Sequence, residues 1–403
     1  MKNNCSRRDF LAAGLVLPVA AMRSPVHTTQ ATQSPKLAYR MLGKTGLKVT
    51  TLSFGCMTNS DPSLIARAAD LGINHFDTAR AYQGGNNERM VGLALKEKRK
   101  KVIISSKSIA RTKAEALADL EASLREMGTD YLDIWYLHSK SEPAEVTDEL
   151  LEAQRVAKKD GKIRFPGVST HFNMDRMLPY LEKLGQMDVV LTTYNFAMRS
   201  VARDRNTDMQ APRTDMAGII RKARQSGLGI VVMKTMAGGV TRVGRGDRLY
   251  GADPQLLSKQ LASEDVPVAA IKWALKNESV DAAIVCMTNH QQLDQNLRAM
   301  SEPFTPKDEE LLGIHLSRIG PAYCRMCGSC GGVCEKGLPV PDVLRFLSYA
   351  EGYAQFAMAR QQFLALPERA RAVRCDACET CSVRCPNGVK VRDRMSLAQE
   401  MFA

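Results

Sequence analysis

Between residues 50 and 287 the chain alternates short apolar runs with longer stretches of helical period, and it does so eight times. The apolar runs are TTLSF (50–54), NHFDTA (74–79), VIISSK (102–107), YLDIWYLH (131–138), IRFPGVS (163–169), DVVLTTY (188–194), GIVVMK (229–234) and VDAAIVCM (280–287). Stretches such as TKAEALADLEASLREMG (112–128) and DVPVAAIKWALKNES (265–279) separate them, with apolar residues three and four apart. A strand followed each time by a helix belongs in a parallel sheet, because a crossover helix is what returns the chain to begin a parallel neighbour. Eight such units in about 260 residues predict a closed α/β fold, the (β/α)8 TIM barrel. An open doubly wound sheet is the alternative, but no G-x-G-x-x-G follows the first strand. The barrel is expected over residues 39–318.

The cysteines define a second unit. Eight of the eleven fall between 324 and 385, in CRMCGSCGGVC (324–334) and CDACETCSVRCP (375–386), each reading C-x2-C-x2-C-x3-C. Disulfides suit thiols three apart in tight loops poorly. Zinc takes four ligands from paired C-x2-C knuckles and leaves the third and fourth cysteines without a role. The spacing resembles the bacterial ferredoxin run, in which the fourth cysteine of each run ligates the other cluster. That resemblance implies two [4Fe–4S] clusters, one on Cys324, Cys327, Cys330 and Cys385, the other on Cys375, Cys378, Cys381 and Cys334. Pro386 follows the second run as in ferredoxins, whereas Glu335 follows the first. Between the runs, Val343, Leu344, Leu347, Ala350, Phe356, Phe363 and Leu364 recur at helical spacing. Residues 319–403 are therefore expected to form a small, mainly helical ferredoxin-like iron–sulfur domain. Cys56 and Cys286 read as buried small apolar residues.

Barrels carry their chemistry at the C-terminal ends of the strands. Those ends offer Asp77 and Tyr82 after the second strand, Lys107 after the third and His138 after the fourth. FDTARAY (76–82), ISSK (104–107) and YLH (136–138), with YRMLGKTGLKVTTLSFG (39–55) and NNERMVGLALK (86–96), resemble the aldo-keto reductases over residues 39–300. The resemblance implies a catalytic tetrad of Asp77, Tyr82, Lys107 and His138. A carbonyl that accepts hydride gathers charge on oxygen and needs a proton there. Tyr82 is the expected donor, Lys107 is expected to draw its phenol pKa down, Asp77 to aim Lys107, and His138 to hydrogen-bond the substrate oxygen.

The same resemblance implies NADP(H) held by Ser169, Lys234, Gly238, Gly239 and Asn296. GVSTH (167–171) keeps Ser169, but Thr170 replaces the family's Asn. Leu191 stands where a Gln is expected, and Met233 where an aromatic ring is. CMTNHQQLDQNL (286–297) has no Arg or Lys for a 2′-phosphate. MKTMAGG (233–239) supplies Lys234, Gly238 and Gly239 as a pyrophosphate cradle. The basic loop 198–215 is expected to be solvated, and the Gly-rich insertion 241–255 falls where barrels bind phosphate.

SRRDFLAAGLVLPVAA (6–21) has a basic head and a core about half the length of a bilayer span, and resembles a twin-arginine export signal. Residues 1–31 are expected to be that signal and 32–38 a linker, sending the protein folded and cluster-loaded to the periplasm or another extracytoplasmic site. No other stretch is apolar enough to span a membrane. The formal net charge is +13, yet no Arg-rich helix with interleaved aromatics argues for nucleic acid. The expected protein is an exported oxidoreductase. It interconverts a carbonyl and an alcohol on a small molecule and passes electrons through two clusters to a redox partner protein. The alternative is an electron-transfer protein whose barrel no longer binds nicotinamide and acts as a docking scaffold.

Overall fold

The computed structural model describes residues 36–198, 215–238, 265–320, 322–326, 330, 332–353 and 355–402. The expected export segment, Gly239, Cys327, residues 199–214 and all of the 241–255 insertion lie outside the described residues.

Two short antiparallel strands, β1 (Tyr39–Met41) and β2 (Lys48–Thr50), precede the barrel. The eight expected strands follow: β3 (Leu52–Gly55), β4 (His75–Asp77), β5 (Ile103–Ser108), β6 (Leu132–Leu137), β7 (Ile163–Thr170), β8 (Val189–Thr193), β9 (Gly229–Met233) and β10 (Ala282–Cys286). Each pairs in parallel with the next, and β10 pairs with β3 to close the barrel. Each is followed by a helix. Local chemistry sets the helix ends: Thr112 and Glu115 form a capping box on Lys113–Met127, and Gly128 closes that helix in the left-handed conformation.

Period-2 patterning does not single out the β1–β2 hairpin, because each strand has three residues. Its role is a plug. Leu42, Leu47 and Val49 join the barrel's inner core with Ile134, Tyr136, Val189 and Val231. Gly43 makes this possible, since a Cβ there would lie 2.3 Å from the Gly229 amide nitrogen and φ is +53°.

A polar layer lies inside the barrel below the strand ends. His75 shares hydrogen bonds with Ser53 Oγ at 3.0 Å and Ser105 Oγ at 3.3 Å. Burial pushes its imidazole down to about 4, against the opposing pull of Asp77 and Asp133. The unfolded imidazole titrates near 6.5, so between those values the unfolded chain binds the extra proton. Stability is therefore full above pH 6.5 and falls by about 3 kcal/mol as the pH drops towards 4. Denaturant unfolding at pH 7 and pH 4.5 should show this loss, with a smaller one in His75→Gln. An unchanged pH slope in the variant would place the acid sensitivity elsewhere.

After the barrel, the helix Pro306–Ile319 packs on Asp265–Leu275. The tail adds helices Val340–Leu347, Phe356–Leu364, Glu368–Arg371 and Val391–Phe402, with a π-turn at Ser348–Gly352. They surround an apolar core of their own, including Val343, Leu347, Phe363, Met395 and Phe402, against which Met57 of the barrel packs. Residues 35–403 form one compact unit, so the tail is seated on the barrel. No described helix is long and apolar enough to cross a membrane.

Candidate active site

A cavity of about 650 Å³ opens where the C-terminal strand ends meet the tail helices. Asp77, Tyr82 and His138 line one side, Leu191, Met233 and Lys234 another, and Arg345, Tyr349 and Tyr353 of the tail cover them.

Tyr82 is held by the turn that leaves β4. Gln83 and Gly84 take left-handed conformations and reverse the chain into the helix Asn86–Leu95. Thr78 Oγ1 donates to Asn87 Oδ1 at 2.6 Å, and Asn87 Nδ2 donates to the Cys56 carbonyl at 2.8 Å. Buried Glu88 accepts from Ser106 Oγ at 2.6 Å and pairs with Arg80. Tyr82 thus sits on a turn tied to both β3 and β5.

Lys107, 1% exposed, uses all three of its donors. They go to Asp77 Oδ2, the Thr78 carbonyl at 2.6 Å and Tyr82 Oη at 3.4 Å. Asp77 Oδ1 accepts from Ser105 Oγ at 2.6 Å, which fixes the carboxylate that aims the ammonium. The His138 ring meets Tyr82 edge-on, with centroids 5.9 Å apart and planes at 79°. The structure therefore brings Asp77, Tyr82, Lys107 and His138 together.

The expected downward pull of Lys107 on the phenol does not prevail. Burial, and after it the Asp77 carboxylate, push Tyr82 well above the usual phenol range. Burial and the Lys107 and Arg345 cations hold His138 well below the usual imidazole value, and burial with Lys234 does the same to His171. At neutral pH the cavity thus presents a protonated phenol beside the neutral His138 imidazole, with neutral His171 in the same lining, an arrangement suited to giving a proton.

The residues assigned to NADP(H) divide. Asn296 lines the cavity, and its buried Oδ1 has no partner. Lys234 also lines it and donates to Tyr349 Oη at 3.3 Å. Ser169 does not reach the cavity: it is buried, and its hydroxyl accepts the Ser139 amide at 2.9 Å. Thr170 Oγ1 donates to the Phe172 carbonyl at 2.8 Å. Gly238 faces Tyr323, whose Cδ1 would stand 3.0 Å from a Cβ there. Ser139 (φ 55°) and Lys234 (φ 59°) occupy left-handed backbone, which costs a non-glycine residue about 1 kcal/mol.

Cys56 is buried as expected, but Cys286 lines the cavity instead of filling the core. His171, Arg345, Tyr349 and Tyr353 also line it without having been singled out in the sequence. For the last three, the sole sequence signal was the helical spacing of the tail.

The cysteine loops pack against the tail core. Burial, reinforced by Cys378, Cys334 and Cys381, pushes the Cys375 thiol up to about 11, so the second run's first three cysteines share a neighbourhood with the first run's last. The Met326 amide donates to Cys324 Sγ at 3.3 Å and the Asn387 amide to Cys385 Sγ at 3.4 Å. Arg325 Nη1 links the two loops by donating to Asn387 Oδ1 at 2.9 Å.

The pattern of the aldo/keto reductase family matches residues 57–315. The chain belongs to that family. Two relatives show the same span. L-glyceraldehyde 3-phosphate reductase of Escherichia coli is 26% identical over 333 residues, 69% of this chain and 92% of the relative. L-galactose dehydrogenase of Arabidopsis thaliana is 25% identical over 299 residues, 66% and 89% of the two chains. Among solved structures, the holo form of an aldo-keto reductase from Bacillus halodurans superposes with a TM-score of 0.54 at 23% identity. That likeness covers 70% of this chain and 96% of the other, and it concerns the fold. This aldo/keto reductase is thus an oxidoreductase built on a closed (β/α)8 barrel. The helices that cover its cavity lie beyond the family match.

Proposed function

We propose that this aldo/keto reductase reduces the carbonyl of a small molecule at Tyr82, drawing its electrons through two [4Fe–4S] clusters held in the tail. The carrying observation is the chain Asp77–Lys107–Tyr82, which ends in a protonated phenol inside a cavity roofed by the cysteine-bearing tail. Tyr82 gives its proton to the substrate oxygen, Lys107 stabilises the phenolate left behind, and His138 orients that oxygen. Conversion of a carbonyl to an alcohol takes two electrons and two protons; Tyr82 gives one proton and solvent the other. The eight cysteines of the two runs would hold two [4Fe–4S] clusters, which would supply one electron each.

The cluster reading rests on the spacing of the two cysteine runs; among the described residues no three His, Cys, Asp or Glu converge as ligands of a metal. The neighbourhood of Cys375, Cys378, Cys381 and Cys334 supports the crossed ligation expected of a two-cluster run. The fit to nicotinamide is weaker: Leu191 and Met233 offer its carboxamide no hydrogen bond, and Ser169 stands behind the cavity wall. No step above needs it. The twin-arginine-like segment fits the same reading, since clusters are assembled before folded export, and a partner protein outside the cytoplasm would supply the electrons.

The test is rapid mixing of the anaerobic, cluster-loaded chain, chemically reduced, with small aldehydes and oxo acids. Reoxidation of the clusters with matching alcohol formation is the expected result. Turnover with NADPH that persists after the cysteines of both runs are replaced, with no cluster reoxidation, would make this a conventional nicotinamide reductase instead.

A further inference from the structure

We propose that the cavity roof is a carboxylate site, so that the molecule presenting its carbonyl to Tyr82 also carries a carboxylate held by Lys234, Arg345 and Tyr349. The proposal rests on the Tyr82 reading above and names the substrate class for it.

Lys234 comes from the end of β9, whereas Arg345 and Tyr349 come from the tail helix and its π-turn. They converge. Lys234 Nζ lies 3.3 Å from Tyr349 Oη, and Arg345 Nη1 lies 3.1 Å from the same oxygen. Lys234 also stands 4.4 Å and 5.4 Å from the ring centroids of Tyr349 and Tyr353.

Charge balance is what calls for an anion. Among the described residues Asp77 is the one carboxylate lining the cavity, and Lys107 already takes it. Arg345 is paired with Asp342 at 2.9 Å. Lys234 has no carboxylate partner among the described residues; its hydrogen bond goes to a phenol. The imidazoles of His138 and His171 are held neutral and add no charge of either sign. Among the described residues one positive charge is thus left over on Lys234, which is only partly exposed, where an unpaired ion is costly. The protein's own response shows the demand: burial pushes the Tyr349 phenol up, yet Lys234 and Arg345 outweigh it and bring it down to about 8.

Placing a lysine here has a conformational cost too, since Lys234 sits at φ 59° in left-handed backbone. A planar guanidinium, an ammonium and a phenol converging on one point match two carboxylate oxygens. They match a nucleotide pyrophosphate less well among the described residues, where Gly238 of the expected cradle faces the Tyr323 ring. Tyr349 and Tyr82 line the same cavity, so one molecule inside it can meet both phenols.

The test is calorimetric binding to the cluster-loaded full chain of three probes: glyoxylate, succinic semialdehyde and benzoylformate, each beside its methyl ester. At least one acid should bind about tenfold or more tighter than its ester. Lys234→Met should erase that preference, Lys234→Arg should keep most of it, and Tyr82→Phe should leave it intact. Binding is thereby read separately from turnover: an intact preference with no reduction by wild-type protein would overturn the Tyr82 reading and not this one. Equal binding of acid and ester for all three probes overturns the carboxylate site. So does a preference that survives in Lys234→Met, or a Lys234→Met variant that loses ADP binding instead. Arg345→Met provides a second arm; should it fail to fold for want of the Asp342 pair, Lys234→Met decides alone.

Discussion

Replacing Tyr82 with Phe will cut carbonyl reduction by about 10²–10⁴-fold and leave the fold intact. The phenol lines the cavity, bonds Lys107 and carries the proton to be given, so its loss removes that proton and leaves the developing oxyanion uncompensated. Little else changes. Lys107 keeps Asp77 and the Thr78 carbonyl, and the aromatic ring still meets His138 edge-on. Melting temperature and cluster absorbance should therefore stay near wild type, while alcohol formation measured by chromatography collapses. The pH profile adds a direction: with Tyr82 held well above its ordinary range, wild-type reduction should lose activity at alkaline pH, once the phenol ionises. A variant that keeps activity within about threefold would remove Tyr82 from the chemistry.

Lys107→Met acts through the same phenol and leaves a worse structural defect. It strands the carboxylate of Asp77, 4% exposed, with the Ser105 hydroxyl as its remaining donor among the described residues. A buried carboxylate without its cation costs about 3–5 kcal/mol, so this variant should lose stability as well as activity. Chemical denaturation separates it from Tyr82→Phe, which should lose activity alone.

The barrel was legible because its signal is local. Eight apolar runs each keep to a single strand, and each helix carries its own period, as Thr112 to Gly128 shows with both caps in place. The tetrad was legible for a related reason: strand ends are defined by where the runs stop, and barrels gather those ends. What the sequence hid was long-range or energetic. Lys234 and Tyr349 are 115 residues apart, and nothing in either segment announces the other. Helical spacing in 341–372 marked apolar faces, but not that Arg345, Tyr349 and Tyr353 would look into a cavity of the barrel. Ser169 lies on the expected strand, yet the register that turns its hydroxyl to Ser139 is not written in its neighbours. The Tyr82 phenol was misjudged in sign because a nearby ammonium can be read from a motif, whereas the depth of burial that outweighs it cannot.

The crossed ligation proposed for the tail makes a sharper prediction than cluster loss alone. Cys334 belongs to the first run by sequence but shares its neighbourhood with Cys375, Cys378 and Cys381. Cys334→Ala should therefore remove the second run's cluster, lowering iron from about eight to about four atoms per chain. Cys378→Ala should do the same. The double variant should be no worse than either single one, because both residues serve one cluster and their effects cannot add. Pairing Cys334→Ala with Cys324→Ala should instead strip both clusters and take iron close to zero. Uncrossed ligation predicts the reverse: Cys334 with Cys324 would leave about four irons, and Cys334 with Cys378 none. Iron analysis and visible absorbance on the four proteins distinguish the two schemes without any substrate. Stability should follow the iron, since Cys375 is 9% exposed and belongs to the apolar core of the tail, so a lost cluster leaves that core without an anchor. The roof of the cavity is carried by the same core, with Tyr349 and Val343 packed in it. Loss of the second cluster should accordingly loosen the cover over Tyr82 and raise KM in any activity that survives.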